Sequence, residues 1–254
     1  NLAWGLGYFG QPHIVTRFMA LRSASEAKAG RRTGIIWVTI CFAGAVFTAL
    51  VSTVYFGTTS ATVTDQNGFE TIFLDLARLL FHPLVAGIIL TAVLAAIMST
   101  MSSQLLITSS ALIEDLYRIF KKEPSQTTLL VLSRLMVVLV AVVAMLLALN
   151  PSDTILGLVG FAWAGFGAAF GPVVLASLYW RRLTAPGALA GMIVGAVTVF
   201  VWGTYFGDII YEIVPGVAFA TIAMVAVSLA TTPKPGVEEE FDRVTGNQEA
   251  LPAV

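Results

Sequence analysis

The 254 residues carry 57% hydrophobic and only 11% charged side chains, with a formal net charge of −1. Soluble domains carry roughly 25% charged residues, so this composition cannot supply a surface that faces water throughout. It therefore predicts an integral membrane protein and excludes a soluble globular domain. The near-neutral charge gives no reason to expect a nucleic-acid partner.

Six apolar stretches follow a short glycine-rich segment at 1–20, and each is long enough to cross the bilayer, which takes about 20 apolar residues. The predicted spans are Gly34–Phe56, Leu84–Leu112, Thr128–Leu149, Ile155–Tyr179, Pro186–Phe206 and Tyr211–Ala230. Between the first two, apolar residues at helical spacing over 72–80 predict an amphipathic helix lying on the outer membrane face. The tail after 230 holds prolines and a run of three glutamates, and we predict that it is disordered.

Basic and acidic residues alternate between successive connections. Every Lys and Arg except Arg78 lies in 17–32, in 118–134, at 181–182 or in the tail. The positive-inside rule makes these connections and the C-terminus cytoplasmic, in a multi-pass protein of the plasma (inner) membrane. The single cysteine, Cys41, falls inside a span, which excludes a disulfide framework and a cysteine metal site.

The segment Trp4–His13 holds three glycines and a proline, a composition that disfavours a continuous helix. Interrupted helices in membrane transporters expose backbone groups to the substrate near the bilayer midplane. Trp4, Tyr8 and Pro12 are spaced i, i+4, i+8, so they share one face wherever the segment is helical. Aromatic rings on that face could close over a small apolar ring or hold an ammonium group. The alternative is an interfacial aromatic belt followed by a glycine kink.

The inner half of the second span is rich in hydroxyl groups. Ala96, Ser99, Thr100 and Ser103 fall at i, i+3, i+4 and i+7, on one helical face. A hard cation such as sodium prefers oxygen ligands, which one carbonyl and two hydroxyls could provide without a formal charge. The alternative is that these hydroxyls bond back to helix carbonyls or join helices together. No carboxylate in any span offers a proton relay, which favours sodium over proton coupling.

Several strings, in this order and at these separations, resemble the sodium/solute symporter family, and within it the sodium/proline symporters. The matching strings are Trp4–His13, Arg17–Ala20, Ala95–Gln104, Glu114–Tyr117 and Leu156–Pro172. The likeness extends from residue 1 to about residue 230. It implies an all-α integral membrane protein with the inverted-repeat fold of sodium-coupled transporters. Residues 1–180 would be the second five-helix repeat with its first helix truncated, 181–230 two peripheral helices, and 231–254 a cytoplasmic disordered tail.

The resemblance also implies roles for individual residues. Those that match family positions implicated in proline binding are Trp4, Tyr8 and Pro12. Those that match the sodium ligands of the second repeat are Ala96, through its carbonyl, Ser99 and Thr100. Ser103 and Gln104 match positions near the substrate path.

The expected function is therefore import of L-proline by alternating access, with sodium as the coupling ion, no organic cofactor and no enzymatic activity. The expected partners are L-proline, sodium ions and the lipid bilayer. The family's other ligands lie in the first repeat, so we expect this chain to be a C-terminal half that is not competent without its N-terminal half. Two alternatives remain: a symporter for another small solute, such as a sugar or pantothenate, and the membrane sensor module of a signalling kinase.

Overall fold

The computed structural model describes residues 2–58, 66–117, 125–149 and 154–245, and these residues form helices and turns without a strand. The helices are α1 (Leu2–Gly7), α2 (Pro12–Met19), α3 (Ala24–Thr58), α4 (Gln66–Leu80), α5 (Pro83–Ser110), α6 (Gln126–Ala148), α7 (Ile155–Tyr179), α8 (Ala185–Tyr205), α9 (Ile213–Ala230) and α10 (Val237–Thr245). A 3-10 turn, Tyr8–Gly10, separates α1 from α2, and a π-helical stretch, Ala111–Tyr117, continues α5. The predicted all-α class is confirmed.

Six of the described helices, α3 and α5 to α9, are long and apolar enough to cross a membrane, which confirms the six predicted spans. The first of them is longer than predicted, since α3 begins at Ala24 rather than near Gly34. Its 35 residues extend about 52 Å at a rise of about 1.5 Å per residue, well beyond a hydrocarbon core of about 30 Å. A spanning helix of this length extends beyond the hydrocarbon core, and its basic N-terminal turns are predicted to be the part that does so.

Side-chain caps fix where three of the spanning helices begin. His82 precedes Pro83 and accepts a hydrogen bond from the Leu84 amide at 3.4 Å, at the start of α5. The hydroxyl of Ser125 accepts from the Thr128 amide at 3.2 Å, at the start of α6. The hydroxyl of Thr184 accepts from the Gly187 amide at 3.2 Å, at the start of α8. Such caps satisfy amides that have no partner within the helix.

The described chain divides into two compact units. The first combines the residues within 1–19 with those within 156–254, and the second is 20–155. In the second unit, α5 packs on α4, α6 and the π-helical stretch. The predicted amphipathic helix is present there as α4, which buries Leu76 and Ala77 and exposes Phe69 and Phe73. Its position on the outer membrane face stays a prediction, as do the repeat of 1–180 and the peripheral helices of 181–230.

The helices of the first unit approach one another at glycines, around a core that contains both small and larger apolar side chains. Ala164, Ala168, Val199 and Ile213 are buried together. A Cβ added to Gly191 of α8 would lie 2.9 Å from the Met224 Cβ of α9, closer than carbon atoms pack. The glycines spaced four apart in α7 and α8, among them Gly167 and Gly191, therefore serve helix packing. In the most apolar stretch of α7, 39% of the residues are buried, whereas the corresponding figure for α3 is 0%.

The prediction of a disordered tail is wrong for one stretch, because α10 forms a helix within it; residues 246–254 lie outside the described part. Asp242 of α10 is 2% exposed and accepts two hydrogen bonds from Arg181, from Nη2 at 2.7 Å and Nε at 3.2 Å. Glu238 lies 3.5 Å from the same guanidinium. The hydrogen bond to Asp242 raises the pKa of Arg181 above its ordinary value. Composition could not reveal this partner, which lies 61 residues away in the chain.

Candidate functional site

The interruption predicted near the N-terminus is present. Helix α1 ends at Gly7, the 3-10 turn follows, and Gln11 has an extended backbone with φ −81° and ψ 113°. Pro12 then begins α2, where its lack of an N–H group costs nothing. Gly10 lies against the α7 backbone, since an added Cβ would be 2.8 Å from the Gly167 Cα. The glycines of this segment therefore both break the helix and let it approach α7.

Trp4 and Tyr8 of the segment meet a third ring that the sequence did not indicate. The Trp4 and Trp163 rings stack with centroids 5.4 Å apart and planes 29° apart. The Tyr8 ring meets Trp163 edge-on at 4.8 Å and 84°. Pro12 lies beyond the break, so the regular helical spacing that would align it with Trp4 and Tyr8 does not continue that far. Tyr8 is 51% exposed, and it is the ring of this group that is most accessible to a ligand.

A fourth aromatic residue joins the group from the connection between α8 and α9. The Tyr211 ring stacks on Trp4 with centroids 6.5 Å apart, and its hydroxyl donates to the Gly160 carbonyl at 2.7 Å. Burial, and secondarily the charge of Glu212, raises the pKa of Tyr211 to about 12. The phenol therefore stays neutral and keeps its donor at physiological pH. Trp4 contacts two rings, so packing sets its orientation.

Two further hydrogen bonds tie the interrupted segment to α7. The Trp163 indole N–H donates to the Trp4 carbonyl at 3.0 Å. The Gln11 side-chain amide donates to the Trp163 carbonyl at 3.2 Å, and Gln11 is only 3% exposed. Sequence reasoning missed both residues. A signal for Gln11 existed, because an amide side chain between a glycine and a proline in an apolar segment needs a partner if it is buried.

The predicted hydroxyl face lies on α5, in the other compact unit. The Ala96 carbonyl accepts from the Ser99 hydroxyl at 2.8 Å and from the Thr100 hydroxyl at 3.4 Å. Ser103 donates to the Ser99 carbonyl at 2.9 Å, and Gln104 is exposed one turn beyond Thr100. These residues share one face as predicted, and the back-bonding that the alternative reading expected is also present. Each hydroxyl oxygen keeps a lone pair that could meet a cation.

The hydroxyl face of α5 consists of uncharged residues. Across the described ranges, no three His, Cys, Asp or Glu side chains lie close enough together to hold a metal ion. The oxygen atoms available on α5 are neutral, which suits a monovalent cation more than a divalent one.

A family model described as the sodium:solute symporter family matches residues 1–195. The chain is 51% identical over 243 residues to the high-affinity proline transporter PutP of Bacillus subtilis, covering 94% of this chain and 51% of that protein. It is 50% identical to the osmoregulated proline transporter OpuE of the same organism, covering 91% and 47%. It is 48% identical to the sodium/proline symporter of Escherichia coli, covering 99% and 51%.

The chain thus spans about half the length of the curated relatives that it matches. No solved structure matches it. The family match covers both sets of residues described above, the interrupted segment and the hydroxyl face of α5. The family match, the helical membrane architecture and the relatives of about 50% identity together show that the chain belongs to the sodium:solute symporter family.

Proposed function

We propose that this chain is part of a symporter that couples sodium entry to the import of L-proline. One observation carries the proposal: a helix is interrupted beside the half-exposed Tyr8, in a chain whose sequence is about 50% identical to those of curated proline transporters. An interrupted helix provides free backbone groups for a zwitterionic ligand. The neighbouring aromatic rings provide apolar surface for a saturated ring.

In the proposed substrate site, the Tyr8 ring packs against the pyrrolidine ring of proline and attracts its secondary ammonium group. Trp4 extends the aromatic surface, and Pro12 fixes the backbone where α2 begins. We also assign Ser103 and Gln104 of α5 to the substrate path, because they match family positions near it. The exposure of Tyr8 and the packing of Trp4 support a division of roles, with Tyr8 in contact with the ligand and Trp4 behind it.

In the proposed sodium site, the ligands are the Ala96 carbonyl and the hydroxyls of Ser99 and Thr100. The two hydroxyls donate to the carbonyl that would also face the ion, so sodium competes with bonds that already exist. This competition keeps the ion weakly bound, and a coupling ion must be released in every cycle. The longer Thr100 bond, at 3.4 Å, is the easier one to give up.

The remaining ligands come, in this proposal, from an N-terminal half that supplies the first repeat. The two repeats would enclose substrate and ion and alternate between outward-open and inward-open states, with sodium favouring the outward-open one. The connection at Arg181 and the C-terminus would be cytoplasmic, because basic residues favour that side. A C-terminal fusion of green fluorescent protein should then fluoresce, and a fusion of alkaline phosphatase should be inactive.

The coupling is tested with a full-length transporter that contains this chain, reconstituted in proteoliposomes. Uptake of labelled L-proline should require an inward sodium gradient and should stop when choline replaces sodium. Equal uptake in choline would refute sodium coupling. Excess unlabelled proline should abolish the signal, whereas inhibition by glucose or pantothenate instead would assign the site to another solute.

A further inference from the structure

Trp163 of α7 has no role in the substrate and sodium sites proposed above, yet it contacts both sides of the interruption. Its indole N–H reaches back to the Trp4 carbonyl at 3.0 Å, before the break. Its own carbonyl accepts from Gln11 at 3.2 Å, after the break. The 3-10 turn that carries Tyr8 lies between these two anchor points. One residue of α7 thus holds the segment on either side of its irregular turn.

The local sequence accommodates this indole at close range. A Cβ added to Gly7 would overlap the Trp163 ring, and its three nearest neighbours would all be atoms of that ring. The ring therefore occupies the space that any larger residue at position 7 would need. It also packs against two aromatic side chains of the segment, stacked on Trp4 and edge-on to Tyr8.

We infer that Trp163 is a positioning residue for the substrate: its hydrogen bonds on both sides of the break hold the segment in the conformation that presents Tyr8. This inference rests on the proposed function, since Tyr8 meets a ligand only if the segment forms the proline site. Without the indole donor, the Trp4 carbonyl loses a partner and the turn samples more conformations. The apparent affinity for proline then falls in proportion to the fraction of molecules whose segment keeps the binding-competent conformation.

Trp163→Phe tests this step, because it keeps an aromatic ring and removes the N–H donor. Loss of one neutral hydrogen bond should raise the KM for proline about three- to tenfold. Because Trp163 does not contact the ligand, kcat and the sodium concentration for half-maximal uptake should change less than about twofold. Hydrogen exchange of the peptide covering 4–12, measured without substrate in the full-length protein, should accelerate by a similar factor.

Trp202→Phe is the matched control. The Trp202 indole also donates to a backbone carbonyl, that of Ile210 at 3.2 Å, and packs on Phe206, so these two contacts lie at the connection between α8 and α9. This variant should leave both the KM and the exchange of 4–12 within about twofold of the wild type. Equal effects of the two substitutions on KM and on exchange would overturn the inference.

Gly7→Ala tests the positioning role of Trp163 through the contact of its ring with position 7, without removing the indole N–H donor. It should raise the KM and accelerate exchange of 4–12 when Trp163 is present, and it should add little in a Trp163→Ala background. Additive effects would show that the ring does not set this position and would overturn the inference. Absence of sodium-driven proline uptake by the wild type would refute the proposed function instead, while hydrogen exchange of the variants still decides the positioning role.

Discussion

Helix α10 is held by the contact between the Asp242 carboxylate and Arg181, and Asp242→Asn removes the negative charge from that contact. Two of the three side-chain nitrogen atoms of Arg181, Nη2 and Nε, donate to the same Asp242 oxygen, at 2.7 and 3.2 Å. A hydrogen bond between charged groups contributes about 1.5–3 kcal/mol. The Arg181 side chain is 51% exposed, so solvent screens the pair and its contribution lies below the upper end of that general range. This free energy corresponds to about a 5- to 30-fold change in the undocking equilibrium.

Hydrogen exchange of the peptide covering 237–245 measures this equilibrium directly, because local undocking exposes the helix amides. Asp242→Asn should accelerate exchange about 5- to 30-fold. Glu240→Gln is the control, since Glu240 pairs with Arg243 at 3.7 Å and both side chains are exposed. The control should change exchange by less than about twofold. Similar acceleration in both variants would refute the idea that the Arg181 contact holds α10 in place.

Three further outcomes are expected. Ser99→Ala and Thr100→Ala should each raise the sodium concentration for half-maximal proline uptake about tenfold, and unchanged sodium dependence in both would contradict the assigned ion site. Tyr8→Ala should mainly raise the KM for proline, about tenfold, whereas Tyr205→Ala, an exposed tyrosine of α8, should leave the KM unchanged in the same uptake assay. Tyr211→Phe should lower the free energy of unfolding by about 1 kcal/mol through loss of its hydrogen bond to α7. The folded-state pKa of Tyr211 lies above the ordinary value of about 10, so its contribution is complete below pH 10 and lost as pH rises towards 12. Thermal melting of wild type and variant across that range should converge; a constant difference would contradict this assignment.

Much of the candidate site could be predicted from local sequence because its determinants are local. Three glycines and a proline within ten residues disfavour a regular helix, and the break at Tyr8–Gly10 agrees with that prediction. Composition alone does not force a break, because α7 stays continuous through Gly165, Gly167, Gly171 and Pro172. The common face of Ser99 and Thr100 follows from helical periodicity. The hydrogen bonds that these hydroxyls make were equally predictable, since membrane hydroxyls bond to carbonyls three or four residues earlier.

The partners of those residues could not be predicted, because they lie far along the chain. Trp163 meets Trp4 across 159 positions, and nothing in the apolar string around Trp163 sets that tryptophan apart from one that faces lipid. The same holds for Tyr211, whose neutral phenol bonds to a helix carbonyl 51 positions away. The spacing of Pro12 from Tyr8 could not show whether the two residues share a face, because the break interrupts the helical periodicity between them.

The sequence by itself determined the membrane class and the six spans, because the bilayer core demands about 20 apolar residues per helix and tolerates few charges. It also indicated that the segment 4–13 is interrupted. Only the tertiary structure decided that Trp4 is packed while Tyr8 is half exposed, and that the acidic tail forms a docked helix. The physical reason is the same in both cases. Burial of a ring or a carboxylate depends on a partner that folding brings close, and composition does not record which partner that is.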